Sequence, residues 1–118
     1  MDSGLYIAIF HLVEARDITI GKLGTFNFKA GFYFYVGTAQ RNLHARIERH
    51  GRPDKPLRWH IDYLSAHAPM LGAILINGPR SMECEIANEL RHQYDPAIPN
   101  FGASDCRCDG HLFYSRQW

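Results

Sequence analysis

The chain has 118 residues, of which 46% are hydrophobic and 21% charged, and its formal net charge is +1 at pH 7. This length and composition are typical of one globular domain, so we expect residues 1–118 to form a single domain. The charge balance excludes a strongly basic protein, and the longest apolar runs, such as residues 5–10, are too short to span a membrane. The N-terminus has no positive segment ahead of its apolar run, so we predict no signal peptide and a cytoplasmic location.

The first third of the chain is dominated by predicted strands. Residues 4–13 (GLYIAIFHLV) are rich in β-branched and aromatic residues. Residues 17–31 (DITIGKLGTFNFKAG) alternate on both sides of a glycine-rich centre, which predicts a hairpin. Residues 32–37 (FYFYVG) are a further strand that ends at Gly37.

The rest of the chain is predicted to be mainly helical. Apolar and basic residues recur at helical spacing from Asn42, which predicts a short helix ending near Gly51. Residues 57–67 are expected to be helical, 70–78 to be a buried strand, 79–94 to be a longer helix and 111–115 to be a last strand, with an irregular segment at 95–110. This order predicts an α+β fold with a small, mainly antiparallel sheet flanked by helices.

Basic residues concentrate between positions 41 and 58, where only Glu48 and Asp54 oppose them. Taken alone, such a run indicates a solvated surface. A local basic patch on a near-neutral protein can also contact phosphates. The candidate nucleic-acid-binding residues are Arg41, Arg49, Arg52, Lys55 and Arg58.

Four short features follow one another along the chain. They are G-L-Y at residues 4–6, Y-V-G at 35–37, R-I-E-R-H at 46–50 and Glu83 near the start of the longer helix. Each alone is weak, but their order resembles the GIY-YIG nuclease family. Several flanking strings, such as R-W-H-I-D-Y-L at 58–64, resemble the small stand-alone branch called Uri. The predicted hairpin between the two tyrosine motifs departs from the family pattern, and we expect it to loop out without separating the paired strands.

The resemblance implies a metal-dependent endonuclease that hydrolyses phosphodiester bonds in nucleic acid, with DNA as the expected substrate. It implies Tyr6 as general base or water-orienting group, Tyr35 as a phosphate and water contact, and Arg46 as the transition-state clamp. His50, one turn after Arg46 on the same helical face, would be a supporting or a proton-transfer partner, although a histidine at the C-terminus of a helix is also favourable as a cap. Arg suits phosphate because its guanidinium stays charged and presents a planar fork of N–H donors that matches phosphate oxygens. The implied cofactor is Mg²⁺ or Mn²⁺.

Three carboxylates near the start of the longer helix compete for the metal. Glu83 shares a helical face with Ile86, Ala87 and Leu90, so we expect it to point inward. Glu85 and Glu89 share another face and are expected to be solvated. We therefore predict Glu83 as the metal ligand, although a charge in the first turn of a helix is favourable for its own sake.

Other features leave alternatives open. His60, Asn100, Ser104 and Asp105 are candidates for a supporting role around the site. With three cysteines and no secretory signal, we expect no disulfide. Zinc on Cys84, Cys106, Cys108 and His111 is the less favoured alternative, because their spacing lacks a paired C-x-x-C. A non-catalytic nucleic-acid-binding module and a zinc-stabilised interaction domain are the rival functions, and the sequence leaves the choice between DNA and RNA and the oligomeric state open.

Overall fold

The computed structural model describes residues 3–52, 55–57, 59–97 and 111–116. Its strands are β1 Gly4–Leu12, β2 Arg16–Ile20, β3 Gly24–Phe28, β4 Gly31–Ala39, β5 Met70–Ile76, β6 Asp95–Pro96 and β7 Leu112–Ser115. Its α-helices are α1 Leu43–Gly51, α2 His60–Ser65 and α3 Glu83–Gln93. The expected α+β fold is therefore confirmed.

The strands form two sheets. The larger sheet has the order β5-β1-β4-β7-β6, and each neighbouring pair in it runs antiparallel. Strand β1 pairs with β4 over its whole length, and this register sets Tyr6 opposite Gly37. Strands β2 and β3 form a separate two-stranded hairpin. The hairpin thus loops out of the main sheet, as the sequence predicted, and leaves the two tyrosine strands paired.

Both faces of the large sheet pack against other elements. Successive side chains of a strand point to opposite faces, so different residues of β1 line the two faces. On one face, Tyr6, Ala8 and Phe10 of β1 belong to a core that also contains residues of α1, α2 and the hairpin. On the other face, Ile7 and Ile9 pack with Ala87 of α3. Strand β1 is consequently buried along almost all of its length, and its two faces contact different helices.

Strand β5 is less buried than its sequence predicted. It lies at the edge of the sheet, and the side chains of Leu71, Ile74 and Leu75 are 40–53% exposed. A continuous apolar run does not distinguish a central strand from an edge strand. Here the helices cover β1 and β4 more completely than β5, so the expectation of a buried strand was wrong.

The region that leads into α3 also differs from expectation. A 3₁₀ turn occupies Arg80–Met82, so the α-helix begins at Glu83 and not at Pro79. Cys84 is disulfide-bonded, which contradicts the expectation that the chain has no disulfide. A cysteine in a disulfide has no thiolate to offer zinc. Within the described residues, no helix combines the length and the apolar character needed to span a membrane.

Candidate functional site

The first tyrosine of the site is held by the strand opposite it. The ring of Tyr6 lies over Gly37, where a Cβ atom would collide with the Cζ and Oη atoms of the ring. Glycine is therefore required at this register position by close approach of a side chain. The Y-V-G string thus supplies two things, the side chain of Tyr35 and the space for the ring of Tyr6.

Tyr6 is bonded to the helix that follows β4. Its hydroxyl lies 2.7 Å from Nε2 of His50 in α1, and both residues are only 2% exposed. Their ring centroids are 5.4 Å apart. Tyr6 and His50, both candidate site residues, are therefore in direct contact through a buried hydrogen bond.

Tyr35 lies on the same face of the sheet as Tyr6. Its ring centroid is 6.4 Å from that of Tyr6 and 5.9 Å from that of His50. Tyr35 is half-buried, so it lies at the margin of this cluster. The next tyrosine back along β4, Tyr33, has a different role, because its hydroxyl donates to the backbone carbonyl of Lys29 at 2.6 Å.

Arg46 reaches the same end of the sheet from α1. Within the part of the chain that the structure describes, its guanidinium makes one hydrogen bond, from Nη1 to the carbonyl of Thr38 at 3.0 Å. A guanidinium carries five N–H donors. Arg46 is half-buried, and the geometry leaves most of its donors for another ligand.

The helix that carries Glu83 packs on the opposite face of the sheet from α1. Burial raises the pKa of Tyr6, and the charges of Tyr35, Glu83 and Asp62 raise it further while Arg46 lowers it. Burial also raises the pKa of Tyr35, with Glu83 as the next largest cause. A carboxylate on α3 and a guanidinium on α1 therefore both lie within electrostatic range of the two hydroxyls.

The expected facing of the α3 carboxylates is confirmed. Glu83 is half-buried, whereas Glu85 and Glu89 are exposed. Ala87 is buried against the sheet, with Ile86 and Leu90 packed around the same core. The helical face that carries Glu83 is thus the face that contacts the sheet.

His50 is held in its neutral form. Burial lowers its pKa from 6.5 to about 4, an effect that the positive charges of Lys55, Arg49 and Arg46 reinforce and Asp62 opposes. Among the described residues, Nδ1 of His50 has no hydrogen-bond partner. In the tautomer that carries its proton on Nδ1, the neutral imidazole accepts a hydrogen bond from the Tyr6 hydroxyl at Nε2.

A second arginine of α1 is engaged inside the protein. Both guanidinium nitrogens of Arg49 bond the carboxylate of Asp62, Nη1 to Oδ1 at 2.8 Å and Nη2 to Oδ2 at 3.1 Å. Nη2 of Arg49 also donates to the carbonyl of Pro56 at 2.8 Å. Asp62 is fully buried, so this bidentate pair anchors the start of α2 to α1.

The other predicted nucleic-acid-binding residues fall into three groups. Lys55 donates from Nζ to the carbonyls of Arg49, His50 and Arg52 at 2.7–3.1 Å, so it caps the C-terminus of α1. Arg52 is exposed and pairs with Glu48 at 2.6 Å. Arg41 is exposed just before α1. Among the residues that the structure describes, the charges of this patch that point outward are therefore fewer than the sequence suggested.

The predicted supporting residues are only partly within the described chain. His60 is half-buried at the first residue of α2, and burial lowers its pKa. His111 is buried immediately before β7, and burial lowers its pKa as well. The candidate residues of all kinds that lie outside the described ranges are Arg58, Asn100, Ser104, Asp105, Cys106 and Cys108.

Sequence reasoning missed the part that Trp59 and Asp62 play beside Arg46. Trp59 contacts both α1 arginines, and Asp62 bonds Arg49. One local signal was present, because Asp62 is the third helical residue of α2 and its carboxylate accepts from the backbone N–H of Trp59 at 2.9 Å. This hydrogen bond is half of a capping box, in which the side chain of Asp62 points back toward the N-terminus of α2.

The protein is a small α+β domain in which two strand tyrosines and a helix histidine lie close together. An arginine and a glutamate lie within electrostatic range of the two tyrosine hydroxyls. Residues 5–118 match the family described as Domain of unknown function DUF123, and the chain belongs to that family. Neither the curated proteins nor the solved structures compared with the chain include a significant match.

Proposed function

We propose that this protein is a metal-dependent endonuclease with a GIY-YIG-like site that hydrolyses phosphodiester bonds in nucleic acid, with DNA as the first substrate to test. One observation carries the proposal. The rings of Tyr6 and Tyr35 lie 6.4 Å apart on one face of the sheet, and the opposite charges of Arg46 and Glu83, on different helices, are both within electrostatic range of their hydroxyls. A cation for the phosphate, hydroxyls for water and a carboxylate for a metal are the groups that such hydrolysis needs.

Arg46 is the residue best suited to the phosphate. Its single described hydrogen bond fixes one end of the guanidinium on the Thr38 carbonyl, while the remaining donors can match phosphate oxygens. Arg49 is close in sequence but its donors are used by Asp62 and Pro56. The division between the two arginines supports Arg46 as the clamp on the developing negative charge.

Tyr6 and His50 supply a route for a proton. At neutral pH the raised pKa of Tyr6 keeps its hydroxyl protonated, so Tyr6 acts here as a relay and not as a free phenolate. As water attacks phosphorus, its proton passes to Oη of Tyr6 while the Tyr6 proton passes to Nε2 of His50. The low pKa of His50 makes this transfer transient, so the imidazolium gives its proton back through Tyr6, and the leaving oxygen takes its own proton from solvent water.

Glu83 is the carboxylate that fits a metal. Mg²⁺ is often held by one or two carboxylates together with waters and phosphate oxygens, so a single Glu beside a phosphate site is a sufficient protein ligand. The half-buried Glu83 has the correct donor chemistry and acts on both tyrosines. When bound, Mg²⁺ or Mn²⁺ would stabilise negative charge on the phosphate and on the leaving oxygen.

A non-catalytic nucleic-acid-binding module is the second candidate. The burial of Tyr6, which is 2% exposed, favours it, because a hydroxyl that handles water must meet water. In this alternative, exposed basic residues such as Arg41 and Arg52 bind the phosphate backbone without cleavage. The two functions differ in the role of Glu83, which is needed for cleavage but not for binding.

The test is cleavage of supercoiled plasmid, linear duplex, branched and single-stranded DNA, and single-stranded RNA, in parallel. Each is incubated with Mg²⁺, Mn²⁺ or a chelator, using wild type and the Glu83→Gln variant. Metal-dependent nicking that is lost in Glu83→Gln supports the endonuclease. Binding of equal strength by both proteins, with no cleavage of any substrate, supports the binding module and refutes the enzyme.

A further inference from the structure

A tryptophan at the start of α2 contacts both arginines of α1. The Cζ atom of Arg49 lies 4.5 Å from the centroid of the Trp59 ring, and the Cζ atom of Arg46 lies 4.9 Å from it. Guanidinium groups within about 6 Å of an indole face are attracted by its quadrupole. The Trp59 indole therefore contacts both Arg49, whose guanidinium is bonded to Asp62 and Pro56, and Arg46, most of whose N–H donors have no partner among the described residues.

The position of Trp59 is itself fixed by Asp62. The carboxylate of Asp62 accepts from the backbone N–H of Trp59 at 2.9 Å and from both terminal nitrogens of Arg49. Asp62 is fully buried, so its side chain can neither rotate into solvent nor exchange these donors for water at low cost. The indole and the Arg49 guanidinium are thus set in place by one carboxylate.

The charges in this cluster leave Arg46 as the net cation. Asp62 neutralises Arg49 through the bidentate pair, and the Trp59 ring offers Arg46 an attractive surface without neutralising it. The carbonyl of Thr38 holds Nη1 of Arg46 from the other end. Among the described residues, Arg46 is consequently held by one neutral hydrogen bond and one ring contact, and neither neutralises its charge.

We propose that Trp59 and Asp62 are positioning residues for Arg46, which they hold ready for a phosphate group. Neither residue contacts the phosphate in this proposal, so neither is catalytic. Pre-setting a long side chain removes the cost of ordering it when the substrate arrives. The catalytic consequence rests on the proposed function, whereas the ordering of Arg46 can be measured without any substrate.

Trp59 is a cleaner probe than Asp62. The charge of Asp62 also raises the pKa of Tyr6, Tyr35 and His50, so its replacement would change the proton chemistry as well. The variants to compare are Trp59→Leu, Trp59→Phe and Tyr63→Leu. Tyr63 is a half-buried aromatic residue of the same helix that packs near Gly21 of the hairpin, so its replacement matches the loss of a packed ring and serves as the control.

The deciding measurement is ¹⁵N relaxation of the arginine Nε–Hε groups by NMR. In wild type we expect Arg46 to be as ordered as the backbone, and in Trp59→Leu its order parameter should fall below about 0.6, the flexible range. Trp59→Phe should give an intermediate value, because a smaller ring remains, and it keeps the test available should Trp59→Leu fold poorly. Tyr63→Leu should leave Arg46 unchanged, and we expect the exposed Arg41 to serve as a mobile reference in every sample.

Equal order of Arg46 in wild type and in both Trp59 variants would overturn the proposal. Where wild type cleaves nucleic acid, Trp59→Leu should lower kcat between about 10-fold and 100-fold with little change in KM, as expected for a displaced catalytic group. That loss should vanish when Arg46 is already alanine, and losses that simply add would refute the link through Arg46. If wild type does not cleave, the proposed function fails while the relaxation data still decide whether Trp59 orders Arg46.

Discussion

The hydroxyl of Tyr6 and Nε2 of His50 form a buried hydrogen bond of 2.7 Å between residues that are 44 positions apart in the chain. Tyr6 lies in the central part of the large sheet and His50 near the end of α1. The bond therefore fixes the helix on the sheet and, in the proposed mechanism, also joins the two groups of the proton relay. A structural role and a proposed chemical role thus fall on the same contact, and substitutions of single hydroxyls and carboxylates can separate them.

The first prediction concerns the hydroxyl of Tyr6. Tyr6→Phe should lower the single-turnover cleavage rate by about 10²-fold or more, because it removes the acid–base relay. Substrate affinity should change little. Tyr35→Phe should also slow cleavage, since its hydroxyl belongs to the same cluster.

The control for this experiment is Tyr33→Phe. Tyr33 lies on the same sheet, and its hydroxyl also makes one hydrogen bond, to the carbonyl of Lys29. Both substitutions should cost stability of about 1 kcal/mol, the typical net value of one hydrogen bond, but only Tyr6→Phe should slow cleavage. Equal rates for the two variants would reduce Tyr6 to core packing.

The second prediction concerns pH and His50. Its pKa is lowered from 6.5 to about 4 in the folded protein, so the unfolded chain binds more protons between these values. The free energy of unfolding should therefore fall as pH drops from about 6.5 to about 4, with an upper limit of about 3 kcal/mol from this residue. Above pH 6.5 this contribution should be constant.

Urea unfolding of wild type and His50→Gln across pH 4–8 tests the point. The difference in free energy between the two proteins isolates His50 from the carboxylates and other histidines that titrate in the same range. That difference should shrink as pH falls from 6.5 to 4. A difference that is independent of pH would mean that His50 is not held neutral by burial.

The third prediction separates two neighbouring carboxylates. Glu83→Gln should abolish metal-dependent cleavage while keeping the fold and substrate binding, because it removes a charge at nearly constant shape. Glu85→Gln should remain active, because Glu85 is exposed on another face of α3. An inactive Glu85→Gln with an active Glu83→Gln would refute the assignment of the metal ligand.

Much of the tyrosine cluster could be anticipated from the sequence. Strand alternation sets Tyr33 and Tyr35 on one face of β4, and helical spacing sets Arg46 and His50 on one face of α1. The facing of Glu83 followed from the apolar residues around it. These are periodic features of single elements, and the periodicity of an element does not depend on what it packs against.

The ion pairs of α1 could not be anticipated in the same way. Arg49 meets Asp62, and Lys55 caps α1, only because the chain turns back between α1 and α2. In the sequence both residues belong to a run of positive charge, which has no period that distinguishes an inward from an outward side chain. The exposure of β5 was missed for a related reason, since its place at the sheet edge depends on strand order.

The fourth prediction revises the nucleic-acid surface accordingly. Arg41→Ala combined with Arg52→Ala should weaken nucleic-acid binding and flatten its dependence on salt, because both side chains are exposed and can release counterions. Arg49→Ala should instead lower the stability of the fold, because it leaves the buried Asp62 without its cation.

Fluorescence anisotropy at several salt concentrations measures the first effect, and thermal unfolding measures the second. Glu48→Gln is a useful comparison, because it frees Arg52 from its partner and should strengthen binding slightly. An unchanged salt slope in the Arg41→Ala, Arg52→Ala double variant would place the binding surface on another face of the domain.

The last prediction concerns the glycine opposite Tyr6 and does not depend on any activity. In Gly37→Ala the new methyl group would collide with the Tyr6 ring, so the ring must move and its bond to His50 must lengthen or break. Overpacking of this kind costs about 1–3 kcal/mol of stability. Gly72 in β5 is the matched control, because a Cβ there would meet no atom within 4 Å, and Gly72→Ala should be neutral or stabilise by about 0.4–1 kcal/mol through the unfolded chain. Urea unfolding of the two variants beside wild type measures both effects, and equal stability of Gly37→Ala and Gly72→Ala would show that the Tyr6 ring does not depend on the space that Gly37 leaves.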